Sequence, residues 1–220
     1  MKVAALVSGG KDSIFAVYLA SKYHEVSCLI TIESENPFSY MFHTPSITKV
    51  KKQAGVMNIP LLIQKTKGKK EIELKDLKSA ISNAKKKYGV KGVVTGAVES
   101  VYQASRIQKI CDELKLEVFN PLWKIDQIEL LKDIVKNKFE VIVVGVAAYP
   151  LDESWLGRKI DNKFIDDVIK LREKYGLNPA GEGGEFESFV LDCPLFKKKL
   201  KVKDKIITGE KHTFSMEISL

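Results

Sequence analysis

The sequence predicts an α/β protein that has a five-stranded, doubly wound parallel sheet, followed by a smaller α+β domain. In the first 121 residues, five apolar runs alternate with segments of helical pattern. Parallel strands that are buried on both faces read as such runs, and strand–helix alternation is typical of a doubly wound sheet. After Pro121 the rhythm changes, and the end of the chain alternates as antiparallel strands do. We therefore predict domains at 1–121 and 122–220.

The elements of the first domain follow from this alternation. The apolar runs lie at 3–7, 26–32, 60–65, 90–97 and 116–122. Helical patterns follow the first four runs, beginning near residue 11 and then covering 46–57, about 70–88 and 102–114. The run at 116–122 closes the series.

The second domain begins with a helical pattern at 126–137, which leads to the very apolar run 139–149. A further helical pattern covers about 161–175, and the glycine-rich stretch NPAGEGGEFES follows it. The last segments, SFVLDC, DKIITGEK and HTFSMEISL, suit antiparallel strands. The chain has no internal repeat and no long linker, so we expect the two domains to pack closely.

Composition excludes several classes of protein. No apolar run approaches the roughly 20 residues that span a bilayer, so we expect no membrane span. Cys28, Cys111 and Cys193 form no C-x-x-C pair, which disfavours a disulfide framework or a zinc site and favours the cytoplasm. The net charge of +8 could guide an acidic partner, but solvated lysine-rich faces explain it more simply. A homo-oligomer is compatible with this composition.

The motif SGGKDS lies between the first predicted strand and the first predicted helix. Glycines let the backbone approach an anion, the helix N-terminus adds partial positive charge, and Lys11 adds a full charge. Asp12 could cap the helix or help to hold Mg²⁺. The predicted phosphate-binding residues are Ser8, Gly9, Gly10, Lys11, Asp12 and Ser13.

The spacing of this motif matches neither G-x-x-x-x-G-K-[ST] nor G-x-G-x-x-G. It closely resembles the PP-loop, S-G-G-x-D-S, of the N-type ATP pyrophosphatases, which have a HUP-like α/β domain. The resemblance implies that the loop grips the β,γ-pyrophosphate of ATP. A substrate oxygen then attacks the α-phosphate, which gives an adenylated intermediate and pyrophosphate, and a second nucleophile displaces AMP.

Further segments resemble the diphthine–ammonia ligase family over essentially the whole chain. They are SYMFHTP (39–45), GAVESVYQASRIQKICDEL (96–114), PLWKID (121–126), LGRKID (156–161) and NPAGEGGEFESFVLDCPLF (178–196). The resemblance implies ATP-dependent amidation of diphthine, a modified histidine on translation elongation factor 2, to diphthamide. The nitrogen comes from ammonium, and AMP and pyrophosphate are released. It also places Gly96 at the nucleotide.

The segment YQASR supplies candidate residues for the substrate. Arg106 follows the fourth strand, near the same edge of the sheet as SGGKDS, and its planar fork suits a phosphate or a carboxylate. Tyr102 is one turn earlier on the same face, and Gln103 lies beside it. We assign Lys11 and Asp12, together with Arg106, to catalysis. Local pairing on a surface helix is the alternative interpretation of the segment.

The segment GEGGEFE places Glu182, Glu185 and Glu187 beside three glycines. These carboxylates, with Phe186, could hold the trimethylammonium group of diphthine and the incoming ammonium. We assign Glu185 to catalysis, because one glutamate could deprotonate ammonium. The alternative is a hairpin loop with solvated acids. His43 in SYMFHTP could contact the substrate or satisfy loop backbone groups.

Two other functions are compatible with SGGKDS. One is a different PP-loop adenylating enzyme that modifies a tRNA base, which the missing C-x-x-C pair and the acidic GEGGEFE segment disfavour. The other is a non-catalytic ATP-binding module, which would not need a pyrophosphate-specific loop. We therefore expect ATP and Mg²⁺ as cofactors, elongation factor 2 and ammonium as substrates, and no nucleic-acid partner.

Overall fold

A parallel five-stranded sheet forms the first half of the protein, as predicted. The structure, a computed structural model, describes residues 1–35, 49–67 and 72–220. The strands of this sheet are β1 (Lys2–Leu6), β2 (Glu25–Ser34), β3 (Leu61–Thr66), β4 (Gly92–Val94) and β5 (Glu117–Phe119). Their order is β3-β2-β1-β4-β5, and all four pairings are parallel. The order reverses between β1 and β4, which is where open α/β sheets bind ligands.

Helices cover both faces of this sheet. They are α1 (Lys11–Ser21), α2 (Val50–Met57), α3 (Ile72–Tyr88) and α4 (Val101–Glu113). Val3 and Ala5 of β1 join the hydrophobic cluster that contains α1, whereas Ala4 joins the cluster that contains α3 and α4. Successive side chains of a strand point to opposite faces. The doubly wound arrangement predicted from the sequence is therefore confirmed.

The second half forms a smaller α+β unit, also as predicted. Its elements are α5 (Gln127–Lys136), β6 (Glu140–Val146), a 3₁₀ turn (Glu153–Trp155), α6 (Asn162–Tyr175), β7 (Phe186–Asp192), β8 (Asp204–Glu210) and β9 (Thr213–Ser219). The strands pair in the antiparallel order β7-β6-β9-β8. Asp126 caps α5 and Asp161 caps α6 with side-chain hydrogen bonds, and Gly176 ends α6 in the left-handed conformation.

The two sheets share one hydrophobic core, which agrees with the expectation of close packing. The ring of Phe15 on α1 meets the ring of Phe139 edge-on, with 5.3 Å between centroids. Val190 of β7 donates its N–H to the Gly9 carbonyl oxygen at 3.1 Å. The boundary after residue 121 stays a prediction. Within the described residues, no helix combines the length and apolar character that crossing a bilayer requires.

Some predicted elements are shorter in the structure. The run 90–97 forms a strand only over Gly92–Val94, because the chain then leaves the sheet. Thr95 turns its hydroxyl to Asn120 Oδ1 at 2.6 Å and accepts the Ala97 N–H at 3.2 Å. The first residues of the predicted helices at 46–57 and 70–88 lie outside the described residues. The described residues of these two segments form α2 and α3.

Candidate active site

A cleft of about 460 Å³ opens at the carboxyl ends of β1, β2 and β4. Its main walls are the SGGKDS loop, the connection from β4 into α4, and residues 181–184 and 186–188, and side chains of β1, β2 and α4 complete it. The first two belong to the parallel sheet, whereas the third leads into β7 of the second sheet. The site is therefore built at the junction of the two halves of the protein.

The SGGKDS loop is organised by its own serines. The Ser8 N–H donates to Ser13 Oγ at 3.2 Å, and the Ser13 hydroxyl donates to the Gly10 carbonyl oxygen at 3.0 Å. Gly10 is the N-cap of α1 and supplies no side-chain cap. Because the first N–H groups of a helix have no intrahelical acceptor, this end of α1 suits an anion in the cleft.

Gly9 supports the loop from behind rather than lining the cleft. Its φ of +89° is in the left-handed region, and a Cβ there would lie 2.8 Å from Gln53 Oε1. The buried Gln53 donates through Nε2 to the carbonyl oxygens of Gly9 and Val190, at 3.0 and 2.8 Å. Sequence reasoning missed Gln53, because nothing in the pattern of α2 distinguishes it.

Lys11 is held by groups of the second half of the protein. Only 3% of its surface is exposed, and its Nζ lies 2.8 Å from Asp12 Oδ2 and 2.5 Å from the Ala180 carbonyl oxygen. The same ammonium lies 5.4 Å from the ring centroid of Phe186. Its backbone N–H donates to Ser188 Oγ at 3.1 Å. The predicted phosphate-binding charge is therefore in the cleft, and its orientation is set from across the domain junction.

Asp12 has the chemistry that Mg²⁺ requires. Its Oδ2 accepts from Lys11, whereas its buried Oδ1 has no hydrogen-bond partner among the described residues. Mg²⁺ in nucleotide sites is commonly held by one or two carboxylates together with substrate phosphates and water. In the described part of the chain, no group of three His, Cys, Asp or Glu residues could hold a metal alone. Asp12 could therefore supply one carboxylate ligand to a metal that is otherwise held by the phosphates of a bound nucleotide.

Gly96 is required by a close approach of two backbones. A Cβ at Gly96 would lie 2.7 Å from the Asp12 carbonyl carbon and 2.7 Å from the Ser13 nitrogen. Only glycine lets the β4–α4 connection lie against the first turn of α1. Gly96 lines the cleft beside the phosphate loop, and its position at the nucleotide stays a prediction.

The first turns of α4 contribute Ser100, Gln103 and Ile107 to the wall of the cleft. The Arg106 guanidinium carbon lies 3.4 Å from the ring centroid of Tyr102, so these two side chains stack on each other. Neither is among the residues that line the cleft as the described residues define it. Of the predicted trio, the structure therefore brings Gln103 to the cleft and leaves Arg106 and Tyr102 next to it.

Glu182 and Glu187, which the sequence analysis assigned to the substrate, both line the cleft. Burial, with a smaller contribution from the charge of Asp12, raises the pKa of Glu182 to about 7, against the opposing effects of Lys11 and of a hydrogen bond from the Glu99 backbone. Burial also raises the pKa of Glu187 to about 7; Lys11 lowers it, and Asp12 and Glu182 raise it. Two carboxyl groups that titrate near neutrality therefore face one lysine.

Glu185, which the sequence analysis assigned to catalysis, is held within the loop by hydrogen bonds to both of its carboxylate oxygens. It does not line the cleft. Its Oε1 accepts from the backbone N–H and the Nδ2 of Asn178, at 3.1 and 2.5 Å, and its Oε2 accepts from the Gly183 N–H at 2.8 Å. Because both oxygens are engaged inside the loop, this carboxylate shapes the loop that presents Glu182. His43 lies outside the described residues.

The three cysteines are buried and free, and none lines the cleft. Burial raises the pKa of Cys28 to about 11 and the pKa values of Cys111 and Cys193 to about 12. Cys111 packs in the core on one face of the parallel sheet, as predicted. Since a thiolate is the reactive form of cysteine, these thiols are unsuited to nucleophilic chemistry.

A doubly wound parallel sheet with an anion-suited loop at the start of α1 is an arrangement typical of nucleotide-binding α/β proteins. Residues 1–118 match the family model for the diphthamide synthase N-terminal domain, and residues 126–218 match the model for the diphthamide synthase C-terminal domain. The chain belongs to the diphthamide synthase family, which confirms the resemblance inferred from the sequence.

Two relatives span nearly the same length. The diphthine--ammonia ligase of Bos taurus is 33% identical over 236 residues, covering 98% of this chain and 88% of that protein. The diphthine--ammonia ligase of Homo sapiens is 33% identical over 222 residues, covering 92% and 83%. A solved structure described as a predicted subunit of tRNA methyltransferase from Methanocaldococcus jannaschii aligns with a TM-score of 0.46 at 14% identity, over 88% of this chain and 98% of that one. We attach no function to a similarity of that size.

Proposed function

We propose that this protein amidates diphthine on translation elongation factor 2, using ATP and ammonium, and forms diphthamide, AMP and pyrophosphate. The names of the relatives support this reaction. The observation that carries the proposal is the arrangement of the cleft, in which Lys11 and the start of α1 face Glu182 and Glu187. One part suits a polyphosphate, and the other suits a cationic substrate.

The triphosphate of ATP would lie against the SGGKDS loop, where backbone N–H groups and Lys11 offer positive charge. The apolar side chains of Leu6, Ile30 and Ile32 line the cleft along β1 and β2 and suit a purine base. Asp12 would hold Mg²⁺, which when bound neutralises phosphate charge. This assignment uses the unpartnered Oδ1 of Asp12.

The reaction begins with a carboxylate, which is a poor electrophile towards nitrogen. A carboxylate oxygen of diphthine attacks the α-phosphorus, the bond to the bridging oxygen breaks, and pyrophosphate leaves with that electron pair. The nitrogen of ammonia then attacks the acyl carbon, and AMP leaves with the oxygen through which it was attached. The proton lost from nitrogen must pass to a base. Lys11 stabilises the departing pyrophosphate, because it is fixed before the charge develops.

Glu182 and Glu187 are the groups that we assign to the ammonium. A carboxylate attracts the cation, and a base whose pKa is near the working pH can accept its proton efficiently. Glu185 acts as a positioning residue for this pair, because its oxygens are bound to Asn178 and Gly183. The trimethylammonium group of diphthine would also be attracted to these carboxylates.

The remaining predicted substrate residues keep their roles as proposals. Gln103 lines the cleft and can hydrogen-bond to the substrate. Arg106, braced by Tyr102, lies one turn further along α4 and would pair with the diphthine carboxylate or a phosphate. His43 is assigned to the protein substrate on the resemblance alone.

The cellular setting is proposed on simpler grounds. The three free, buried thiols support a reducing compartment, so we place the protein in the cytoplasm. Elongation factor 2 is the proposed macromolecular substrate. A tRNA substrate is not favoured, and a homo-oligomer stays a prediction.

The reaction is tested with purified protein, ATP, ammonium and elongation factor 2 that carries diphthine. We expect the mass of the factor to change as a carboxylate becomes an amide, and we expect one AMP for each amide. An unchanged factor, or ADP as the nucleotide product, would contradict the proposal. Omission of ammonium is the control, and it must leave the factor unamidated.

A further inference from the structure

Gln127, the first residue of α5, connects three segments around the cleft. Only 8% of its surface is exposed. Its Nε2 donates to Glu99 Oε2 at 3.1 Å and lies 3.5 Å from Asn178 Oδ1. Its Oε1 accepts the backbone N–H of Ala180 at 3.0 Å. A single buried amide therefore joins the β4–α4 connection to the loop that precedes β7.

Two of the residues that Gln127 contacts lie next to charged side chains that line the cleft. Ala180, whose N–H is held by Gln127, uses its carbonyl oxygen to accept the Lys11 ammonium at 2.5 Å. Glu99, whose carboxylate is held by Gln127, has a backbone N–H near enough to the Glu182 carboxylate to lower its pKa. Gln127 itself does not line the cleft. Gln127 is therefore connected to two charged groups of the site, Lys11 through Ala180 and Glu182 through Glu99, although it lies outside the cleft itself.

The amide of Gln127 is matched to its two partners. A carboxylate needs a donor and a backbone N–H needs an acceptor, and a glutamine offers one of each without adding a buried charge. A methionine of similar length would leave the Ala180 N–H unsatisfied in a buried position. A glutamate would keep the acceptor for Ala180 but would set a second carboxylate against Glu99.

We propose that Gln127 is a positioning residue that sets the places of Lys11 and Glu182 in the cleft. The expected effect of Gln127 on catalysis rests on the proposed function. The expected effect of Gln127 on ATP binding rests only on the contact between Lys11 and Ala180. A misplacement of about 1 Å in a catalytic group can reduce a rate by roughly 10²-fold.

The test compares Gln127→Met, Gln127→Glu and the exchanged pair Glu99→Gln/Gln127→Glu. We expect Gln127→Met to lower kcat/KM for ATP by about 10²-fold and to weaken ATP binding measured by calorimetry. We expect Gln127→Glu to be similarly impaired. The exchanged pair restores one donor and one acceptor with the original net charge, so it should return to within roughly threefold of wild type.

Gln108→Met is the matched control. Gln108 also donates to a carboxylate, Asp112 Oδ1 at 2.8 Å, but on the exposed face of α4. This variant should keep wild-type kinetics, and thermal unfolding of every variant separates misfolding from misplacement. Wild-type kcat/KM and ATP affinity in Gln127→Met, or an exchanged pair no better than Gln127→Glu, would overturn the inference. If wild type forms no AMP, the proposed function fails, and the calorimetry still decides the role of Gln127.

Discussion

The Lys11 ammonium lies 2.5 Å from the carbonyl oxygen of Ala180, 169 positions further along the chain. The charge of the phosphate loop is therefore oriented by the second half of the protein. Val190 and Gln53 hold the Gly9 carbonyl oxygen in the same way from behind the loop. Binding of ATP and formation of the substrate pocket consequently depend on the same contacts between the two sheets.

Replacement of Lys11 by methionine should abolish catalysis while the fold survives. The variant keeps the length of the side chain but removes the cation that faces the phosphates, and we expect kcat/KM for ATP to fall by at least about 10²-fold. Stability should fall by about 1–3 kcal/mol, because the Ala180 oxygen and Asp12 lose a buried donor. AMP formation and chemical denaturation measure the two effects.

Lys22→Met is the control for this variant. Lys22 is the residue after α1, and its ammonium lies 4.3 Å from the ring centroid of Tyr18, away from the lining of the cleft. It should leave AMP formation unchanged. Near-full turnover in the Lys11 variant would show that the phosphate loop is wrongly assigned.

Replacement of Ser188 by alanine should weaken the junction between β7 and the phosphate loop. The buried Lys11 N–H would lose its acceptor, which costs about 1–3 kcal/mol of unfolding free energy. We expect kcat/KM for ATP to fall by about tenfold, because α1 would no longer be fixed at its first turn. Ser21→Ala, at the exposed end of the same helix, should change neither quantity. Equal behaviour of the two variants would contradict the role of Ser188.

Gly96→Ala should separate the β4–α4 connection from α1. The added methyl would lie 2.7 Å from backbone atoms of Asp12 and Ser13, which cannot move without distorting the loop. We expect a loss of several kcal/mol in unfolding free energy and a large loss of ATP affinity. In Gly55→Ala, on α2, the added methyl would meet no atom of the described residues within 4 Å, and the variant should instead stabilise the protein by about 0.5–1 kcal/mol. A destabilised Gly55→Ala or a tolerated Gly96→Ala would refute this account of the close approach.

The carboxyl groups of Glu182 and Glu187 should make stability and activity depend on pH near neutrality. Burial raises both pKa values to about 7, so the folded protein binds these protons more tightly than the unfolded chain does. Their contribution to stability is therefore complete below the unfolded value near 4.5 and is lost as the pH rises through about 7. Ionisation above that pH supplies the base for ammonium.

Glutamine variants test this pH dependence. Glu182→Gln and Glu187→Gln should each flatten the fall of unfolding free energy between about pH 5 and pH 8, and the double variant should flatten it most. Each should also lower kcat and weaken its rise with pH, measured at a constant concentration of free ammonia. Glu210→Gln, an exposed substitution at the end of β8, is the control. Wild-type pH profiles in all three variants would contradict the assignment of the base.

The sequence predicted the fold well because the relevant signals are local. Apolar runs such as 26–32 indicate buried strands, and the change of pattern after Pro121 indicates a second, antiparallel part. The structure contains both sheets. The SGGKDS motif could also be recognised, since its residues are adjacent in sequence and its serines hydrogen-bond within six residues. Glu182 and Glu187 could be placed near the cleft because they lie in one conspicuous acidic segment.

The supporting residues could not be predicted in this way. Ser188 lies 177 positions from Lys11, and Gln127 lies 53 positions from Ala180, so no periodicity joins them. The contacts of Glu185 could not be predicted for the same reason, because its sequence neighbours suggest the cleft whereas Asn178 and Gly183 engage it within the loop. Such roles depend on the packing of the two sheets, which only the folded structure shows.

The central claim is that a carboxylate oxygen of the substrate attacks the α-phosphorus of ATP. The direct measurement uses elongation factor 2 whose diphthine carboxylate carries a heavy isotope of oxygen. The mass of the nucleotide product is measured after a single turnover with ammonium. We predict AMP that carries one labelled oxygen, together with unlabelled pyrophosphate. ADP with labelled inorganic phosphate, or AMP without label, would contradict the account.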